Sequence, residues 1–175
     1  MKKLTVAVPF LLLSLVAIAA IFVPLFPDFN GSRVYNNTDI GWMLISSALV
    51  LLMTPGLSFF YGGMVSKKNV ISTMLQRFIA TGLITIFWVV IGFSLAFGTS
   101  FNGIIGNPLD FIFFRNINTQ GPWSLAPTIP LLLFAMFQLK FAIITPALVV
   151  GGTAERIRFT SYILFMLLFS IFVYT

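Results

Sequence analysis

The 175 residues are 59% hydrophobic and only 8% charged, with a mean hydropathy of +1.05. A soluble domain carries about 25% charged residues, so this composition cannot clothe a water-facing surface and places the chain in a membrane. Ten Lys and Arg against four Asp and Glu give a net charge of +6, but the bases lie thinly spread between apolar runs, which membrane topology explains and nucleic-acid binding does not.

The length allows roughly five spans of about 20 residues with short connections and no separate soluble domain. There is no Cys and no His, so these residues contain no disulfide and no imidazole to bind a metal, activate a nucleophile or shuttle a proton.

Five apolar runs follow in order: Leu4 to Phe26, Ile40 to Tyr61, Val70 to Phe97, Thr128 to Val150, and Phe159 to Thr175. None alternates polar and apolar residues as a strand does. In lipid the backbone finds partners only within its own helix, so each run predicts an α-helical span. The fold class is all-α, a polytopic membrane protein.

The first run stands behind Lys2 and Lys3 and makes residues 1–27 either a signal peptide or an extra N-terminal transmembrane segment. Ala17-Ile18-Ala19 offers a small-x-small cleavage site. The apolar run continues past it through Phe22, Val23, Leu25 and Phe26, which favours an uncleaved span. The last run has 17 residues, ~25 Å at the helical rise. It stops at Thr175 with no polar flank or basic anchor, and is expected to be cut inside a helix.

Alternate connections can be tested for charge. Starting inside, Lys2, Lys3, Lys67, Lys68, Arg156 and Arg158 fall on the cytoplasmic side, and Arg33 and Arg115 outside. Six against two follows the positive-inside rule. The outer segments, Pro27 to Asp39 and Gly98 to Ala126, are rich in Asn, Gly and Pro. Within the longer one, Leu109 to Phe114 is apolar enough to lie on the protein or at the interface.

Several residues inside the spans invite a chemical reading. Thr54-Pro55-Gly56 predicts a kinked or loosened second span, serving either packing or a helix bent around a pathway. Arg77 lies about 12 Å along the third span and is expected to snorkel to the inner interface. Lys140 stands midway in the fourth run, where a charge is costly; it is either a functional group or a structural one reaching a carbonyl or subunit boundary. Phe137 and Phe141, with Gln138 between them, share one helical face, and aromatic faces can replace part of the water stripped from a cation. Ala147, Gly151 and Ala154 suggest close helix contact. Glu155 is expected to pair with Arg158 in a solvated turn. No paired carboxylates, phosphate loop, metal cluster or activated nucleophile appears, so the residues predict no enzyme, no cofactor and no metal site.

Several stretches taken together resemble the Amt/Mep/Rh family of ammonium transporters. They are Met53-Thr54-Pro55-Gly56-Leu57, Phe60-Tyr61-Gly62-Gly63, Lys68-Asn69-Val70, Trp88-Val89-Val90, Ser94-Leu95-Ala96-Phe97-Gly98, Phe137-Gln138 with Phe141-Ala142, Ile144-Thr145-Pro146-Ala147, and Ala154-Glu155-Arg156-Ile157-Arg158-Phe159. The resemblance runs from about Asp39 to Thr175. It implies an inverted-repeat fold, of which residues 28–175 hold the first three helices and part of the fourth. It also implies a homotrimer in the cell (inner) membrane, ammonium, ammonia or methylammonium as substrate, and a small cytoplasmic regulatory protein on the inner face.

The same resemblance assigns Phe141 to the outer aromatic gate and Phe137 to the ring one turn before it. The family's recruitment Trp and Ser, its conserved Asp, its second gate phenylalanine and its paired pore histidines are not among these residues. The resemblance therefore implies an N-terminal fragment that cannot enclose the pore or transport alone. Two other readings stand beside it: the ammonium-sensing domain of a signalling protein, and a non-functional truncated product.

Overall fold

The computed structural model describes residues 35–101, 103–117, 121–124, 126–152 and 154–175. The first apolar run, with its choice between signal peptide and span, lies outside the described residues, as do Lys2, Lys3 and Arg33.

Helix α1 (Asn37–Met64) starts at Asn36, whose side-chain oxygen accepts the Thr38 N–H at 2.9 Å. This satisfies one open donor of the first turn, and Asp39 adds a favourable negative charge there. α1 is one continuous helix through Pro55, although Pro55 leaves the Leu51 carbonyl without its usual donor. Its buried positions are Thr54, Ser58 and Gly62, a seam of small residues repeating every four that lets the next helix approach closely. A Cβ on Gly62 would stand 3.2 Å from Met74. Elsewhere α1 is open, with Trp42, Leu49, Leu52, Phe59 and Phe60 exposed.

After a 3-10 turn at Lys67–Asn69, α2 (Val70–Phe87) passes through a π turn, Trp88–Gly92, into α3 (Phe93–Phe97). The departure from regular helix thus falls here rather than at Pro55. Gly92 makes it possible, since a Cβ would lie 2.8 Å from the Phe87 ring. Over half of the most apolar stretch of this rod is buried, 56% against 11% for α1, so it is the central helix.

Beyond the end of α3, β1 (Ser100–Phe101) and β2 (Ile105–Gly106) form a two-residue antiparallel ladder. The apolar stretch that follows lies on the protein: Phe111 and Ile112 are buried, and the Phe93 and Phe111 rings are 5.3 Å apart. Helix α4 (Leu131–Gly151) returns through the bundle, and α5 (Phe159–Phe169) runs on into a π turn at Ser170–Tyr174.

The core gathers where α2, α3, α4 and α5 meet, around Ile84, Trp88, Phe93, Ala135, Leu139, Tyr162 and Met166. Trp88 organises it: its indole N–H donates to the Ala135 carbonyl at 3.1 Å, and its ring meets Phe93, Phe97 and Tyr174 edge-on. Among the described residues three helical segments are long and apolar enough to cross a membrane, and Phe159–Tyr174 is a shorter apolar helix. The architecture is that of an all-α, multi-pass membrane protein.

Candidate functional site

Helix α4 has two unlike sides. Leu131, Ala135, Leu139, Ala142 and Ile143 are buried in the bundle, at the spacing that makes one helical face. Phe137, Lys140 and Phe141 lie off that face. The Phe137 and Phe141 rings meet edge-on with centroids 5.1 Å apart. Phe141 is 38% exposed, and Phe137, Gln138 and Lys140 are half-buried. The Gln138 carbonyl accepts the Tyr174 hydroxyl at 3.4 Å. Lys140 has no hydrogen bond or ion pair among the described residues. The rings offer electron-rich faces that attract cations.

Arg77 does not snorkel. It is only 3% exposed; its Nη1 donates to the Ala147 carbonyl on α4, and its guanidinium lies 4.5 Å from the centre of the Tyr61 ring on α1. The cause lies in α4, whose last turn contains no basic residue although a helix C-terminus carries partial negative charge and open carbonyls. Arg77 supplies that cation from α2. The Tyr61 hydroxyl reaches the next carbonyl, Leu148, at 3.5 Å. Gly151 is the small residue that this approach demands, since a Cβ there would run into the Tyr61 ring. Thus α1, α2 and α4 are locked at one point.

Glu155 does not turn to Arg158. Its Oε1 accepts from the Ser66 N–H at 2.7 Å, the Ser66 hydroxyl at 2.6 Å and the Asn69 side-chain amide at 3.0 Å. Residue 155 sits in a turn with φ +65°, so the helical three-residue spacing does not apply. The hydrogen bonds from Ser66 and Asn69, with Lys68 nearby, hold its carboxyl below the usual range. This clasp joins the two loops bearing Lys67, Lys68, Arg156 and Arg158, which therefore share one end of the bundle.

Thr54, Pro55 and Gly56 are not brought to the aromatic pair. A recess of about 350 Å³ beside Thr54 and Pro55 is lined from α1 and α2, by Leu51, Phe78 and Thr81 among others. The Ser58 hydroxyl donates to the Thr54 carbonyl at 3.2 Å, while Thr54 Oγ1 has no partner among the described residues. A Cβ on Gly56 would meet nothing within 4 Å, so no close approach requires that glycine.

One polar node escaped the sequence reading. Buried Asp110 accepts from the Thr99 N–H, from the Thr99 hydroxyl at 2.6 Å and from the Asn107 amide at 2.9 Å. Buried Ser94 donates to the Asn107 carbonyl at 2.8 Å and accepts the Phe111 N–H at 3.0 Å. Together they fix this loop over the end of α3, beside a recess of about 470 Å³ lined by Phe97, Asp110 and Trp123 among others. The available signal was Asn107-Pro108, a turn-forming pair with an acid three residues on. No group of three or more His, Cys, Asp or Glu side chains that could hold a metal occurs among the described residues.

Comparison with known proteins places these features in context. The sequence profile of the Ammonium Transporter Family matches residues 41–175. The chain is 44% identical over 149 residues to a Mycobacterium tuberculosis protein named ammonium transporter, covering 78% of this chain and 31% of that one. It is 44% identical over 140 residues to a putative ammonium transporter of Methanothermobacter thermautotrophicus, covering 79% and 34%. Among solved structures it is similar to Saccharomyces cerevisiae Mep2, with TM-score 0.64, 32% identity and coverage of 80% and 30%. Candida albicans Mep2 gives TM-score 0.69 at 28% identity, with the same coverage. The chain thus spans about a third of the length of these relatives.

Proposed function

We propose, because this chain belongs to the Ammonium Transporter Family, that its helices form part of a membrane path for ammonium or ammonia, with methylammonium as an analogue. The observation that carries this reading is the edge-on pair Phe137 and Phe141, standing off the buried face of α4 with Phe141 open. A cation at such a pair is drawn to the ring faces. The apolar surroundings then favour passage of the neutral form, its proton being left to bulk water at the mouth of the path, because an unpaired charge is costly in low dielectric.

In this reading Phe141 is the outer gate and Phe137 supports it. Gln138 and Lys140 flank the path, while Thr54, Pro55 and Gly56 belong to the supporting helix and Glu155 to the inner loops. The protein moves its substrate across the membrane and is not an enzyme. It works as a homotrimer in the cell (inner) membrane, with the loops around Glu155 facing the cytoplasm, open to a small regulatory protein.

The test is uptake of labelled methylammonium into proteoliposomes holding the complete polypeptide. Saturable uptake that ammonium competes away is expected. Uptake no greater than in protein-free liposomes would overturn the reading.

A further inference from the structure

We propose that Lys140 is a specificity-determining residue of this path, a fixed positive charge that weakens cation binding at the Phe137 and Phe141 rings and so favours the uncharged form of the substrate. The proposal rests on the transport reading and deepens it.

Lys140 is the tenth of the 21 residues of α4, roughly 14–17 Å from either helix end, beyond the reach of a snorkelling lysine. A charge kept at that depth faces protein or water rather than lipid. Its neighbours Leu139 and Ile143 are packed in the bundle, while Lys140 itself is half-exposed.

No described element offers it a counter-charge. Asp39 is in the first turn of α1, and Asp110 in the outer loop is taken by Thr99 and Asn107. Glu155 in the inner loop is taken by Ser66 and Asn69. The other base within the spans, Arg77, is committed to Ala147 and Tyr61. Phe137 precedes Lys140 by three residues, a spacing that puts side chains side by side on a helix. A cation over the rings therefore has the Lys140 ammonium as a neighbour on the same helix, and the two like charges repel. Neutral ammonia feels none of it.

The experiment compares the wild type with Lys140→Met, Lys140→Gln and Lys140→Arg in the complete polypeptide, reconstituted in proteoliposomes with methylammonium as probe. The two neutral variants are expected to lower the half-saturating concentration about tenfold, with the maximal rate within about twofold. Lys140→Arg is expected to stay within about twofold of the wild type in both. An unchanged half-saturating concentration in the neutral variants overturns the proposal. So does loss of folded protein in both neutral variants with rescue by Lys140→Arg, which would make Lys140 the structural partner of a carboxylate. A wild type that moves no methylammonium refutes the transport reading itself, and this proposal with it.

Discussion

Arg77 on α2 holds the carbonyl of Ala147 in the last turn of α4, while its guanidinium lies over the Tyr61 ring of α1. A charge that lipid would expel is thus kept at the negative end of a helix that has no basic residue of its own there. Arg77→Ala removes a charged hydrogen bond and a ring contact and opens a cavity, with an expected cost of about 2–4 kcal/mol. Arg77→Lys should recover only part of this, because an ammonium lacks the planar fork that serves ring and carbonyl together. Thermal denaturation in detergent checks the order: wild type, then lysine, then alanine. Equal midpoints would contradict the lock.

The Glu155 clasp should depend on pH. Its folded carboxyl is held below the reference value of 4.5, so the stabilisation is fully present above that value and is lost as pH falls through the lower folded one. Hydrogen exchange at the Ser66 amide, corrected for the intrinsic pH dependence, should show protection near pH 6 that declines only once the pH has fallen below the 4.5 of a free carboxyl. Glu155→Gln should lower the protection near pH 6 and abolish its decline on acidification. A Ser66 amide equally protected in wild type and variant would exclude the clasp.

Two glycine substitutions should behave oppositely. A Cβ on Gly98 would press on the Ser94 carbonyl and lie 2.7 Å from the Asn107 carbonyl oxygen; backbone cannot yield there, so Gly98→Ala is expected to cost about 1–3 kcal/mol. Gly56 has open space around it in a helix, so Gly56→Ala is expected to be tolerated or to gain about 0.5–1 kcal/mol. Thermal midpoints of the two variants, falling for one and level or rising for the other, check this.

The Ser66 to Glu155 contact puts two loops at one end of the bundle, which the positive-inside rule expects to face the cytoplasm. Reporter fusions at Lys67 and Arg156 should therefore both report the cytoplasm, and a fusion near Asn107 the exterior. Opposite signals from Lys67 and Arg156 would break the span order.

What the sequence made legible follows from what lipid demands. An apolar run must close its own backbone hydrogen bonds, so Val70 to Phe97 could be read as one span and forms one rod in the structure. The internal change to a π turn at Trp88–Gly92 was not legible, because it depends on Gly92 fitting between the Phe87 and Trp88 rings. Arg77 was misread as a snorkeller because its partner is a backbone carbonyl, which no side-chain pattern announces. Glu155 was misassigned because the three-residue rule presumes a helix, and its backbone lies in the left-handed region. The family words around Phe137 and Phe141 marked the aromatic pair. What its uncovered side faces depends on surfaces that the described helices do not provide.

Substrate uptake with and without the Phe141 ring tests the central claim most directly, in proteoliposomes of the complete polypeptide with methylammonium as probe. Phe141→Ala is expected to change half-saturation or maximal rate several-fold while leaving the thermal midpoint within a few degrees of the wild type, since the ring is 38% exposed and little packing depends on it. Uptake and selectivity indistinguishable from the wild type would contradict a path past this residue.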